Sequence, residues 1–249
     1  MERALNKTRH LDEISQFIQY ANNDTQAEFE TKLLAGRIQT RDTAMRLLKT
    51  LQSMTAERSQ EHRLTYSYAK DNTRVHVLGT AAIQKVCATK SFAGIALSVE
   101  RKLKYFDSID RKEGPVAAQS RDVIDVSDFF VRFTLSTEKF LKKDFDGPVD
   151  DPAAHIRVID RQSFAMPGGE FRVDFSMVKS KLAKKEGLRD VLKNTPAYEL
   201  EIEYTPRKEA RPMAEVRRSL FRILETLLGS FQETHHVLPL SDMQRYAQE

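Results

Sequence analysis

Apolar residues recur at two different periods along this chain. Near the start, Leu11, Ile14, Phe17 and Ile18 fall three and four residues apart, which predicts an amphipathic helix over 9–22, broken by Asn22-Asn23-Asp24. Ala44, Leu47, Leu48 and Leu51 repeat that spacing in a second helix, and a short helix is predicted near 80–90. The strongest signal is C-terminal, where Val216, Leu220, Ile223, Leu224, Leu227, Leu228 and Phe231 make one stripe of a helix over 211–232. Between these helices the period falls to two. Strands are predicted at about 26–34, through Leu64-Tyr66-Tyr68 and Val75-Val77 around a turn at Lys70-Asp71-Asn72, and at about 94–106, 127–138, 154–165, 170–177 and 197–205. Pro167-Gly168-Gly169 joins two strands and opens no helix, so it reads as a hairpin turn and not as a phosphate cradle. The polar stretch from Asp107 to Arg121, with Gly114-Pro115, reads as a loop.

Within nearly every strand one alternation class is charged or polar and the other apolar. Arg74 and His76 oppose Val75 and Val77; Ser98, Glu100 and Lys102 oppose Leu97, Val99 and Leu103, with Arg101 blurring that strand. Arg132, Thr134, Ser136 and Glu138 oppose Val131, Phe133 and Leu135. Arg157 and Arg161 share a face, as do Arg172, Asp174 and Ser176 against Val173 and Phe175. The helices need an apolar surface to dock on, so the charged class is left to line an interior. The expected fold is therefore α+β: a closed antiparallel β-barrel of about eight strands forming a hydrophilic tunnel, with α-helices outside, in a single domain over 1–249. A sheet with one polar, solvated outer face is the alternative that alternation alone leaves open.

Composition narrows the classes. A chain of 249 residues with 40% hydrophobic content can bury one large core. Its 40 Lys+Arg against 36 Asp+Glu leave only +4, so basic character is local and a general nucleic-acid coat is excluded. Cys87 is the sole cysteine, which excludes an internal disulfide and a cysteine-based zinc cluster; its place in Ala82-Ile83-Gln84-Lys85-Val86-Cys87 reads as a buried helix position and not a nucleophile. His235-His236 lacks further ligands at useful spacing and reads as surface. No apolar signal core follows Met1-Glu2-Arg3 and no stretch approaches a membrane span, so a soluble intracellular protein is expected.

The candidate chemistry lies in two acidic runs. Glu28 and Glu30 share one face of the first predicted strand, and Glu199, Glu201 and Glu203 share one face of the last. Carboxylates about 6.7 Å apart repel by roughly 2.5 kcal/mol at an effective dielectric of about 20. On a wet face that cost nearly vanishes. If the two runs share an enclosed space, five negative charges must take up protons or a cation, and all-oxygen donors select a hard ion such as Mg2+ or Mn2+. Arginines and lysines on the remaining wall would suit a polyphosphate.

These residues resemble those of the metal-dependent RNA 5′-triphosphatases of fungi and large DNA viruses, within the triphosphate tunnel metalloenzymes. Glu28-Phe29-Glu30 with Lys32 is similar to the first acidic strand of that family, and Glu199-Leu200-Glu201-Ile202-Glu203 to its last. Arg132-Phe133-Thr134-Leu135-Ser136-Thr137-Glu138 resembles the strand running from Arg through Ser to Glu, and Phe171-Arg172-Val173-Asp174-Phe175-Ser176 the Arg-x-Asp-x-Ser/Thr strand. Order and approximate spacing hold from about 26 to 205. Two features depart from the pattern. Ile159 stands where the family carries a lysine two residues before Arg161, with Arg157 on the same face to supply the charge. The Lys-x-Asp-Gly signature of capping nucleotidyltransferases is absent, because Asp144 stands at the lysine position before Asp146-Gly147.

The resemblance implies Mn2+ or Mg2+ held by Glu28, Glu30, Glu199, Glu201 and Glu203, and phosphate contacts from Arg74, Lys102, Arg157, Arg161 and Arg172. Arg101 takes the place of Lys102 if the register shifts by one. It implies that Glu138 handles the attacking water, with Arg132 and Asp174 completing the catalytic set and Asp174 orienting basic neighbours. The expected reaction is removal of the γ-phosphate of 5′-triphosphate RNA in mRNA capping, with nucleoside triphosphates as further substrates. Guanylyltransferase and methyltransferase parts of a capping apparatus are the expected partners, without a membrane, in the cytoplasm or nucleus of a cell or host cell, or in a virion. An inorganic or thiamine triphosphatase of the same fold fits the Glu-x-Glu-x-Lys opening as well, and a non-catalytic RNA- or protein-binding module is the alternative from another class.

Overall fold

The structure, a computed structural model, describes residues 10–33, 38, 40–108, 121–142, 145, 147–181, 186–206 and 211–232. The chain starts with helix α1 (His10–Asn23), strand β1 (Ala27–Leu33) and helix α2 (Arg41–Met54), whose first turn is capped by Thr40 Oγ1 accepting from the Thr43 N–H at 3.1 Å. Strands β2 (Arg58–Tyr68) and β3 (Thr73–Leu78) form a hairpin closed by Asn72 at φ 56°, and helix α3 (Thr80–Thr89) leads to β4 (Leu97–Lys104). A helical turn α4 (Tyr105–Ser108) ends that segment. Then come β5 (Val123–Val126), a 3₁₀ turn at Ser127–Phe129, β6 (Val131–Lys142), β7 (Ala154–Ala165), β8 (Phe171–Ser180), the short helix α5 (Leu188–Lys193), β9 (Ala197–Tyr204) and helix α6 (Met213–Gln232).

All strand pairings are antiparallel, in the order β1-β9-β8-β7-β2-β3-β4-β6, and a further β1–β6 pairing closes these eight strands into a barrel. A strand has only two edges. β1 takes one edge of β6 along Val131–Thr137, so β4, facing Ser136–Lys142, and β5, facing Val131–Thr134, divide the other. The ninth strand β5 thus lies outside the ring. The β7–β8 hairpin turns on Met166-Pro167-Gly168-Gly169, with the Gly169 N–H donating to the Met166 carbonyl at 2.8 Å. Proline in second place and Gly168 at φ 101° in third make this a type II turn, a backbone a side chain would strain.

The apolar class of every barrel strand points outward, under helices. Phe29, Phe133, Leu135, Val173, Leu200 and Ile202 join the buried faces of α1, α2 and α6 in one core. Leu64, Tyr66, Val75, Val77 and Ile156 join α3 and α5 in a second. Burying side chains of this size stabilises by roughly 1.5–3 kcal/mol each.

Two predicted strands shift at both ends. The strand expected at 127–138 starts only at Val131, because the chain makes a 3₁₀ turn and Phe130 enters the left-handed region at φ 56°; it continues to Lys142. The strand expected at 94–106 is shorter at both ends, with Gly94 at φ 67° before it and a helical turn from Tyr105 after it. β5 and α5 were not predicted, being too short for periodicity to register. Gly114-Pro115 and His235-His236 lie outside the described residues. Cys87 is a half-buried thiol on α3 whose pKa burial pushes up. Among the described residues no helix is long and apolar enough to cross a membrane.

The outer layer yields a stability prediction. Phe133 is fully buried and stacks on Phe29 at a centroid distance of 6.3 Å beneath the helices. Phe133→Ala is expected to lower unfolding free energy by about 3–5 kcal/mol in urea titration, whereas Met45→Ala, on the exposed face of α2, stays within about 0.5 kcal/mol.

Candidate active site

Closing the sheet with its apolar class outward forces the charged class into a cavity of about 750 Å³. Seven glutamates (Glu28, Glu30, Glu100, Glu138, Glu199, Glu201, Glu203) face seven bases (Lys32, Arg63, Arg74, Lys102, Arg157, Arg161, Arg172) on its wall, so the wall is formally neutral. The two signs are not mixed evenly. Five of the glutamates come from the adjacent strands β1 and β9, paired so that Glu30 lies opposite Glu203 and Lys32 opposite Glu201. Arg63, Arg74, Arg157 and Arg161 stand on the consecutive strands β7, β2 and β3.

Lys102 is the hub. Its ammonium touches Glu28, lies 3.1 Å from Glu30 Oε1 and 3.2 Å from Glu138 Oε1, and so ties β4 to β1 and β6. Lys32 adds a second tie, 2.9 Å from Glu30 and 2.7 Å from Glu201. The register settles one open point: Ser98, Glu100 and Lys102 line the cavity, and Arg101 is on the other class, opposite Thr73. Glu28 and Glu30 titrate as a pair around Lys102. Burial pushes Glu28 up to about 9 against the pull of Lys102. Burial would raise Glu30 too, but Lys102 and Lys32 outweigh it and hold that carboxyl well below the usual range. Glu201 is buried yet likewise held low by Lys32 and Arg161, whereas burial raises Glu203 against the opposing charge of Arg172.

Asp174 sits beneath the arginines, 1% exposed, and is not among the residues lining the cavity. Its carboxylate is 2.9 Å from Arg161 Nη1 and accepts from Arg172 Nε at 3.0 Å, so it fixes the direction of both guanidiniums. Arg161 also reaches Glu201 at 3.1 Å, and Arg157 and Arg172 touch Glu199 and Glu203. Burial opposes the charge on Arg161 and Arg172, but Asp174 and the glutamates prevail and raise both. Ile159 faces the cavity between Arg157 and Arg161, so the wall there is apolar where the family pattern carries a lysine, and Arg157 stands beside it.

Arg132 is placed elsewhere. It belongs to the first residues of β6, where β5 and not β4 is the neighbour, and it donates two hydrogen bonds to Asp125, at 2.7 and 2.9 Å, while 45% exposed. It is not part of the cavity lining. The structure brings in residues that the sequence-based set omitted: Lys32, Arg63, Glu100 and His76. His76 is 4% exposed, with Nδ1 3.0 Å from Thr65 Oγ1 and Nε2 2.9 Å from Glu100 Oε1. Arg74 then spans Glu100 at 3.9 Å and Glu138 at 3.8 Å. Lys32, Glu100 and His76 shared an alternation class with assigned residues, and that class was the available signal; Arg63 stands on β2, where no residue was assigned.

Among the described residues no three acidic, histidine or cysteine side chains converge on a point of their own, since lysines stand between the glutamates. The donor chemistry nevertheless fits a hard divalent ion. Its groups are carboxylate oxygens already gathered around positive charge, and a polyphosphate added to a neutral wall brings negative charge that calls for a compensating cation.

Removing the hub tests this electrostatics. Lys102→Met leaves Glu28, Glu30 and Glu138 without their common partner and is expected to cost about 3–5 kcal/mol of stability in urea titration. Glu28→Gln in the same chain should recover part of that loss; no loss from Lys102→Met would mean that other cations already neutralise the cluster.

No protein-family profile matches the chain, and no curated protein matches it in sequence. Solved structures do match in shape. The RNA triphosphatase domain of a trifunctional mimivirus mRNA capping enzyme superimposes with a TM-score of 0.58 at 14% identity, covering 87% of this chain and 96% of that one. A monoclinic form of the mimivirus capping enzyme triphosphatase gives 0.59 at 15% identity, with 87% and 96% covered, and a triclinic form 0.57 at 16%, with 86% and 96%. The chain therefore has the closed eight-stranded tunnel fold seen in the mimivirus RNA triphosphatase domain.

Proposed function

We propose that this protein is an mRNA-capping RNA 5′-triphosphatase that hydrolyses the terminal phosphoanhydride of 5′-triphosphate RNA, and of nucleoside triphosphates, to a 5′-diphosphate and inorganic phosphate. The observation that carries this reading is the charged wall. Glutamates of β1 and β9 and arginines of β7, β2 and β3 line one cavity, the β7 arginines paired with β9 glutamates, with Lys102 and Glu138 in contact beside them. A polyphosphate is the ligand such a wall suits: the bases hold its oxygens, and the acids require a cation between themselves and the ligand. The mimivirus domain that shares the fold is an RNA triphosphatase by its description.

The roles follow from the contacts. Arg74, Lys102, Arg157, Arg161 and Arg172 bind phosphoryl oxygens, with Asp174 holding Arg161 and Arg172 in direction. Glu138, partly exposed to the cavity and flanked by Lys102 and Arg74, orients water in line with the terminal phosphorus and accepts its proton. As the bond from that phosphorus to the bridging oxygen breaks, the arginines stabilise the charge that collects on the leaving diphosphate. Glu28, Glu30, Glu199, Glu201 and Glu203 would hold Mn2+ or Mg2+, which when bound supplies Lewis-acid polarisation of the phosphoryl group. Arg132, committed to Asp125, takes no part in this scheme.

The wall by itself recognises a polyphosphate and not what is attached to it, so inorganic tripolyphosphate is the competing substrate. Triphosphate RNA labelled at either its terminal or its innermost phosphate separates the reactions. Release of the terminal label alone, dependent on added Mn2+ or Mg2+, is the expected result; release of neither label would sink the reading. Glu138→Gln and Glu201→Gln are each expected to lower kcat at least 100-fold in chains that remain folded by circular dichroism, as loss of a group acting in the transition state requires. Full activity in a folded Glu201→Gln protein would remove the acidic cluster from the mechanism.

A further inference from the structure

Of the rings on the polar wall, Tyr68, His76, Phe140 and His155, only Phe140 is wholly apolar, and the scheme above leaves it unused. Phe140 lies two residues beyond Glu138 on β6, on the same alternation class, and lines the same cavity. It is 73% exposed, while the other thirteen of the chain's 14 phenylalanines are buried or half-buried. A lone apolar side chain on an outer surface is ordinary. This one succeeds Thr134, Ser136 and Glu138 on the face that otherwise carries polar groups inward. Opposite it on β4 is Glu100, so the ring borders the group formed by Arg74, Glu100 and Glu138.

Topology places a second apolar side chain at the same end. β3 and β6 both pair antiparallel with β4, so they run in the same direction and finish at one end of the barrel. Leu78, the last residue of β3, is 45% exposed and also lines the cavity. Phe140 is therefore exposed about one strand repeat, roughly 6.7 Å, beyond the carboxylate assigned to the attacking water, level with Arg74, and Leu78 lies four residues farther out on β3. A substrate whose terminal phosphoryl group reaches Glu138 has its nucleoside trailing toward a mouth, and a flat apolar base finds there an exposed phenyl ring on the wall.

We propose that this mouth is a nucleobase subsite, in which the base of the first nucleotide stacks on Phe140; this rests on the polyphosphate reading of the cavity. Stacking on a phenyl ring supplies no hydrogen-bond pattern, so the subsite accepts all four bases. It separates nucleotide-bearing triphosphates from inorganic tripolyphosphate, a distinction the charged wall cannot make.

The test compares KM for each of the four nucleoside triphosphates with KM for tripolyphosphate, in the wild-type chain, Phe140→Ala and Phe140→Trp. Phe140→Ala should raise the ratio of the nucleotide value to the tripolyphosphate value by roughly 5- to 100-fold for every base, and Phe140→Trp should restore it. An unchanged ratio in Phe140→Ala overturns the subsite even if overall activity falls. Calorimetric affinities for a non-hydrolysable nucleoside triphosphate and for tripolyphosphate make the same comparison without turnover. If the wild-type chain binds neither ligand, the polyphosphate reading itself fails and the subsite with it; binding of both with the same affinity ratio in wild type and Phe140→Ala condemns the subsite alone.

Discussion

Charge enclosed in a closed sheet must be neutralised within it, and that constraint shapes this protein from the barrel outward. Seven carboxylates and seven bases share the wall of a single cavity. An unpaired ion in such a place costs several kcal/mol, so almost every charged group lies against one of opposite sign on another strand. The ion pairs act as cross-braces: Lys102 joins three strands and Lys32 two. The site is consequently not an insertion into a finished fold. The same contacts that arrange the cavity hold the barrel closed.

The helices follow from the same inversion. In a small barrel with an apolar interior the outer face can meet water, but here the apolar class of all the barrel strands is outside and must be covered. Two separate cores accomplish this. One packs α1, α2 and α6 over β1, β6, β8 and β9, and the other packs α3 and α5 over β2, β3, β4 and β7. The first therefore backs the strands bearing most of the glutamates and the second the strands bearing most of the arginines. Each charged half of the cavity rests on its own apolar support.

What the sequence made legible was the alternation, and what it hid was where alternation stops meaning the same thing. The two acidic runs, the arginine pair on β7 and the hairpin turn at Pro167-Gly168-Gly169 could be read directly, because strand period and turn chemistry are local. Arg132 shows the limit. By parity it belongs with Glu138, but six residues along a strand reach past the edge of β4, and the same face there meets β5 and Asp125. His76, Glu100 and Lys32 show the converse: they carried the right parity, yet nothing local told which positions would be level with the acidic cluster. Register between distant strands decides that. Phe140 was missed for a related reason, because β6 extends four residues beyond the expected end and that extension carries the ring to the cavity.

A wall built this way has little freedom to rearrange. Each charged side chain rises from a strand paired on both sides, and Arg161 and Arg172 are further held by an aspartate that is itself almost wholly buried. In water, dipoles must turn to meet a developing charge, and that turning is a large part of a reaction's barrier. Here the guanidiniums are turned already, by contacts with carboxylates on neighbouring strands. The acidic half thus serves the basic half. It stabilises the crowding of like-charged guanidiniums that a polyanion's oxygens need, and it does so from positions on neighbouring strands, leaving the lumen between them open.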